Sequence, residues 1–237
     1  MPTSEPKTVA IIGAGPLGRW LALAAARAGF RVLLEDVMPT NLHHARDALR
    51  QQLGPAGRIA SGQGFSPDIN GPILTGTGRD GFQPIHSSPE ACLSARPDLT
   101  FVSTIEEAVR DADLVIDCVP DELESKLEIF WLLDRMAPPR TVLATPTTRL
   151  SIADLAHCTY RPAQCVAIAV QASDLTGNPA PGAPGQFSAS SPATGPTIRL
   201  LKTSRTTPDT ITLVEGFWRQ LGFTPAFALD PAEKPAS

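Results

Sequence analysis

Residues 8–36, TVAIIGAGPLGRWLALAAARAGFRVLLED, constrain this chain more than any other stretch. A short apolar run, Val9 to Ile12, meets a glycine turn, Gly13-Ala14-Gly15-Pro16-Leu17-Gly18. A helical pattern follows, then a second apolar run that ends in Glu35-Asp36. Strand, turn, helix, strand and a terminal acid together are what holding a dinucleotide requires. Gly13 permits the tight turn out of the strand. Gly15 lacks a side chain, so backbone can approach a pyrophosphate, and Gly18 lets the helix pack closely on the sheet. Pro16 suits the first helical turn, where its missing N–H costs nothing. The helix start at Pro16 and Leu17 points free N–H groups and a partial positive charge at phosphates. Gly29 stops the helix. Asp36 follows Gly18 at a distance that suits a ribose 2′-hydroxyl. No arginine for a 2′-phosphate occurs in Val37-Met38-Pro39, which favours NAD over NADP. The same pattern also admits an FAD site or a tight turn without a ligand.

The rest of the chain repeats the alternation. Residues 40–53 read as a helix, 99–102 as a strand, 105–112 as a helix and 114–119 as a buried strand. A helix is expected over 121–136, with Leu123, Leu127, Phe130 and Leu133 on one side. Strands at 141–144 and 165–170 flank a short helix at 151–157, capped by Ser151. A strand at 197–201, a helix at 208–221 and a strand at 223–229 close the pattern. Residues 54–98 and 172–196 are rich in Gly, Pro and Ser or Ala and read as irregular excursions. The expected fold is therefore α/β: a Rossmann-type, doubly wound, mostly parallel sheet with helices on both faces. It forms one domain over 7–229, between an N-terminal tail, 1–6, and a polar C-terminal tail, 230–237. Ligands of such sheets bind beyond the carboxyl ends of the strands. That edge comprises Gly13–Gly18, Asp36, Val119–Asp121 and Ala144–Thr148.

Composition excludes several classes. The net charge is −4 and Lys and Arg are scattered, which argues against a nucleic-acid partner. No apolar stretch reaches the roughly 18 residues of a membrane span. The start, Met1 to Lys7, lacks the basic-then-apolar order of a signal peptide, so the cytoplasm is the expected compartment. Cys92, Cys118, Cys158 and Cys165 form no CxxC pair and read as reduced structural thiols. No metal-ligand spacing occurs.

Three stretches together resemble the NAD-binding domain of the 3-hydroxyacyl-CoA dehydrogenases. They are the glycine turn, DADLVIDCVPDELESKLEIFWLLD at 111–134, and TVLATPTTRLSIADLA at 141–156. The resemblance implies NAD as cofactor, an acyl-CoA or other acyl thioester as substrate, and a place in fatty acid metabolism. It puts Asp121 and Lys126 near the nicotinamide ribose; Val119, on the same strand edge, is a further cofactor-binding candidate. The competing reading of Asp121 and Lys126 is a solvated helix face. Thr148 falls where the family carries a hydroxyl that contacts substrate and nicotinamide. Pro146 replaces an asparagine there, and Arg149 a small polar residue.

The resemblance also exposes gaps. The family oxidises the 3-hydroxyl with a histidine base oriented by a glutamate. Ala169 aligns with that histidine, or Leu175 if Asn178-Pro179 is matched to the family's "NP", and Arg199 falls near the glutamate. The last histidine of the chain is His157. The family's helical C-terminal domain has no counterpart before Ser237. His43, His44, His86, His157 and Asp174 are weak substitutes, and Thr148 is a poor base. Two functional readings remain, with a degenerate fold that binds no nucleotide as a third. One is an NAD(H)-binding protein with lost or much reduced activity. The other is an oxidoreductase of this type acting on a modified substrate, or completed by a homo-oligomer or a partner subunit.

Overall fold

A computed structural model of the protein describes residues 6–53, 58–61, 98–170 and 196–233. Its first unit is β1 (Thr8–Ile12), α1 (Pro16–Arg27) and β2 (Arg31–Glu35), followed by α2 (Pro39–Leu53). Next come β3 (Arg58–Ser61), β4 (Asp98–Val102), α3 (Ile105–Val109), β5 (Leu114–Asp117) and α4 (Leu123–Met136). Then follow β6 (Val142–Pro146), α5 (Ile152–His157), β7 (Cys165–Ile168), β8 (Thr197–Lys202), α6 (Pro208–Gln220) and β9 (Thr224–Leu229). The described strands form one nine-stranded sheet in the order β3-β4-β2-β1-β5-β6-β7-β8-β9. Every neighbouring pair is parallel except β7 and β8. The expected fold class is the observed one.

Both faces of the central strands are covered, as parallel strands require. Val9 and Ile11 join Leu21, Phe30, Leu42, Phe217 and Trp218 in the core beneath α1, α2 and α6. Ala10 and Ile12 join Val109, Phe130, Leu133 and Leu155 beneath α3, α4 and α5. Helix starts follow local chemistry: Thr104, Ser151 and Thr207 accept the N–H three residues on.

Four expectations need correction. Arg58–Ser61, inside the excursion read as irregular, is an edge strand that pairs with β4. Four residues among glycines and prolines carry too little periodicity to be seen, and the partner strand supplies the order. Asp230, expected in a polar tail, is buried and accepts from Ser151 Oγ at 2.8 Å and Ala153 N at 3.0 Å. A carboxylate at the start of α5 meets otherwise orphaned N–H groups there. Leu123 is about half exposed instead of facing the core. Lys126 is fully buried, which removes the solvated-face reading for it. Residues 172–195 and the 1–5 and 234–237 tails lie outside the described residues.

Candidate cofactor site

The glycine turn sits at the carboxyl end of β1, in the middle of the sheet. Gly13 has φ +106°, and a Cβ there would lie 3.0 Å from the Cys118 carbonyl oxygen. A Cβ on Gly18 would lie 1.8 Å from the Gly13 carbonyl oxygen, so only glycine fits. Gly15 differs: a Cβ would meet nothing within 4 Å. The first and third glycines are fixed by the fold, and the second faces open space. That cradle at the start of α1 fits a pyrophosphate. Pro16 begins α1 as expected, and the Leu17 side chain is buried in the core.

Asp36 ties two loops together. Its Oδ2 accepts from Ala14 N at 2.8 Å, and its Oδ1 from Met38 N at 2.8 Å and Asn41 Nδ2 at 3.1 Å. A carboxylate offers about four acceptor positions, so Oδ2 keeps one for a ribose hydroxyl.

On the other side of β1, Asp117, Lys126 and Thr145 form a closed, buried cluster. Lys126 Nζ donates to Asp117 Oδ2 (3.1 Å), Thr145 Oγ1 (2.8 Å) and the Val119 carbonyl (3.4 Å). Thr145 Oγ1 donates to Asp117 Oδ2 at 3.0 Å, and Val119 N donates to Asp117 Oδ1 at 2.9 Å. All three ammonium protons have acceptors. Burial pushes the Asp117 carboxyl up, while Lys126, the Val119 N–H and Thr145 pull it down. Lys126 thus lies beneath the edge and holds the turn that carries Val119.

Asp121 and Thr148 do meet at that edge. Thr148 is exposed, and its N–H lies 3.5 Å from Asp121 Oδ2. Arg149 reaches across to the same residue: Nη2 donates to the Asp121 carbonyl at 2.8 Å, and Nε lies 3.9 Å from Oδ2.

Ala169 and Arg199 are also brought together, since Ala169 N donates to the Arg199 carbonyl at 2.9 Å. One offers a methyl group and the other a permanent cation, so neither can take a proton. His157 is exposed at the far end of α5, and His43 and His44 lie on α2. His86, Asp174 and Leu175 lie outside the described residues. No group of metal-ligating side chains occurs among the described residues, and no described helix is long and apolar enough to cross a membrane. Burial pushes the Cys118, Cys158 and Cys165 thiols up, consistent with unreactive side chains.

Sequence reasoning missed Glu35, Asp117 and Thr145. For the two acids a signal existed: each closes a strand whose preceding residues are an apolar run, Val32–Leu34 or Leu114–Ile116. Glu35 is 3% exposed, and its carboxyl is pushed up to about 7 by burial and then by Asp36.

Comparison with known proteins agrees with this geometry. The sequence model of the 3-hydroxyacyl-CoA dehydrogenase NAD binding domain matches residues 8–64 and 85–169. A probable 3-hydroxybutyryl-CoA dehydrogenase of Bacillus subtilis is 30% identical over 162 residues, 68% of this chain and 47% of that protein. A 5-formyl-3-hydroxy-2-methylpyridine 4-carboxylate 5-dehydrogenase of Mesorhizobium japonicum is 26% identical over 92% of this chain and 56% of its own length. The solved (S)-3-hydroxybutyryl-CoA dehydrogenase of Ralstonia eutropha superposes with a TM-score of 0.65 at 18% identity, over 95% of this chain and 64% of that one. The chain thus spans about half the length of the curated relatives it matches. It belongs to the NAD-binding domain family of the 3-hydroxyacyl-CoA dehydrogenases.

Proposed function

We propose that this chain holds NAD(H) in the cytoplasm and, in isolation, has lost most of the dehydrogenase activity of its family. One observation supports the second half: Ala169 and Arg199, which the resemblance aligns with the family's base and its orienting acid, are neighbours joined by a backbone hydrogen bond. A general base contributes about 10²–10⁴ in rate, so its loss leaves little turnover. Gly13, Gly15, Gly18, Pro16 and the Leu17 N–H cradle the pyrophosphate, and Asp36 takes the ribose hydroxyl. Val119, Asp121 and Thr148 flank the nicotinamide half, and Lys126 supports them from below. NAD, when bound, supplies a hydride acceptor. Thr148 favours a second reading. Its hydroxyl is kept at the exposed edge beside Asp121, so a homo-oligomer or partner subunit that brings a base could complete a site for an acyl thioester or a modified substrate.

The test is NADH titration by fluorescence, followed by NADH oxidation with acetoacetyl-CoA. Binding without turnover is expected. Turnover near that of a complete family enzyme would show the reading of Ala169 and Arg199 to be wrong. Gly15→Val fills the open glycine position of the turn. It is expected to abolish NADH binding while leaving the melting temperature within a few degrees; unchanged affinity would displace the cradle.

A further inference from the structure

One row of side chains runs across the carboxyl edge of the sheet, on the face beneath α3. Val102 is in register with Glu35, Glu35 with Ile12, and Ile12 with Asp117. Asp117 has Lys126 and Thr145. Glu35 is 3% exposed, less deeply buried than Asp117, and among the described residues its carboxyl has no hydrogen-bond partner. Its backbone is engaged, since the Glu35 carbonyl accepts from Gly13 N at 2.7 Å. The side chain therefore lies within one residue of Asp36 and one strand of the glycine turn.

Among the described residues, the surroundings offer no compensating cation. β1 and β4 place Ile12 and Val102 alongside, and the single acid of β4, Asp98, is at its amino end. α3, packed over this face, carries Glu106 and Glu107 and is followed by Arg110, whose guanidinium lies 4.0 Å from Glu106 at an exposed site. Lys126 is two strands away, roughly 10 Å, and is committed to Asp117. His43 and His44 are on α2, whose buried side chains belong to the core of the opposite face. Asp36 is the neighbouring charge that acts on Glu35, and it repels an ionised carboxyl.

A dinucleotide whose pyrophosphate sits over β1 and whose ribose reaches Asp36 must lay its adenine beyond, over the ends of β2 and β4. Resting on the proposed NAD(H) site, we propose that Glu35 is a second recognition residue for the adenosine half and that it binds the nucleotide in its protonated form. A neutral carboxyl donates one hydrogen bond and accepts others, which suits the ring nitrogens and amino group of a purine. An ionised one would add a further negative charge beside Asp36 and the doubly charged pyrophosphate, and would oppose binding. Binding and protonation of Glu35 are then linked: each favours the other. The carboxyl's own position near 7 places this linkage in the neutral range.

The experiment is a titration of the full chain with NADH, and separately with ADP-ribose, from pH 6.5 to 8.5. The wild type is expected to lose affinity for both by roughly 20-fold across that range, and Glu35→Gln by less than about 3-fold. Calorimetry at pH 8 in two buffers of different ionisation enthalpy should show about one proton taken up by the wild type and almost none by the variant. Tight binding with the same pH profile in both proteins overturns the inference and leaves the NAD(H) site standing. Absence of NADH and ADP-ribose binding at every pH overturns both. Should Glu35→Gln fail to fold, the wild-type proton count decides: about one supports the inference, near zero overturns it.

Discussion

Asp117 and Glu35 each end a central strand, lie in one row on one face of the sheet, and are almost wholly withdrawn from water. Their surroundings differ in every other respect. Asp117 has a cation, a hydroxyl and a backbone N–H, and so joins β5, α4 and β6 into one unit. Glu35 has a second acid as its neighbour. Burial alone therefore says little about what a charged residue is for. A fully partnered one fixes the fold, and an unpartnered one is a standing penalty that a ligand can relieve.

Removing Lys126 should have the largest effect. Lys126→Met leaves the Asp117 charge buried without its cation, at an expected loss of about 3–5 kcal/mol in denaturant unfolding. Asp117→Leu combined with Lys126→Met should recover most of that loss. A single-variant loss below about 1 kcal/mol would dissolve the contrast between the two acids.

Glu35 should act in the opposite direction and only above a certain pH. Its carboxyl rises from an ordinary 4.5 to about 7 on folding. The folded chain therefore binds more protons than the unfolded one between those values, and stability falls as pH rises through that window. Below about 4.5 the penalty is absent, and well above 7 it is complete, on the order of 3 kcal/mol. Thermal unfolding of Glu35→Gln should lack this fall between pH 5 and pH 8. Parallel curves for the two proteins would mean that Glu35 is not held neutral.

Thr145→Val is the gentlest test. It removes one acceptor for Lys126 and one donor to Asp117 while keeping the shape, at an expected 1–2 kcal/mol. No change would mean that the lysine and the acid suffice without the hydroxyl.

How far this was legible in the sequence follows from the same residues. Gly13, Gly15, Gly18 and Asp36 act over a short stretch of chain, so their spacing alone announced the turn and its acid. The order of strands and helices followed from apolar periodicity, the strand edge pointed to Val119, and the resemblance supplied Asp121 and Thr148. Lys126 was named for the right neighbourhood but given the wrong surroundings. Helical spacing puts it near the apolar stripe, but only the register of β5 against β6 brings Asp117 and Thr145 to it. Arg58–Ser61 was invisible because an edge strand takes its order from β4. Glu35 was passed over because its meaning lies in what is missing around it, which depends on β1, β4 and α3 at once.

The saturation of Lys126 has a practical side. An ammonium whose three protons are all engaged, and which water does not reach, cannot present a free amine to an acylating reagent. In the folded chain it should stay unlabelled while Lys7 and Lys202 react. Its modification would then time the opening of the sheet's central edge, so that this buried side chain can serve as an internal clock for the region of the proposed cofactor site.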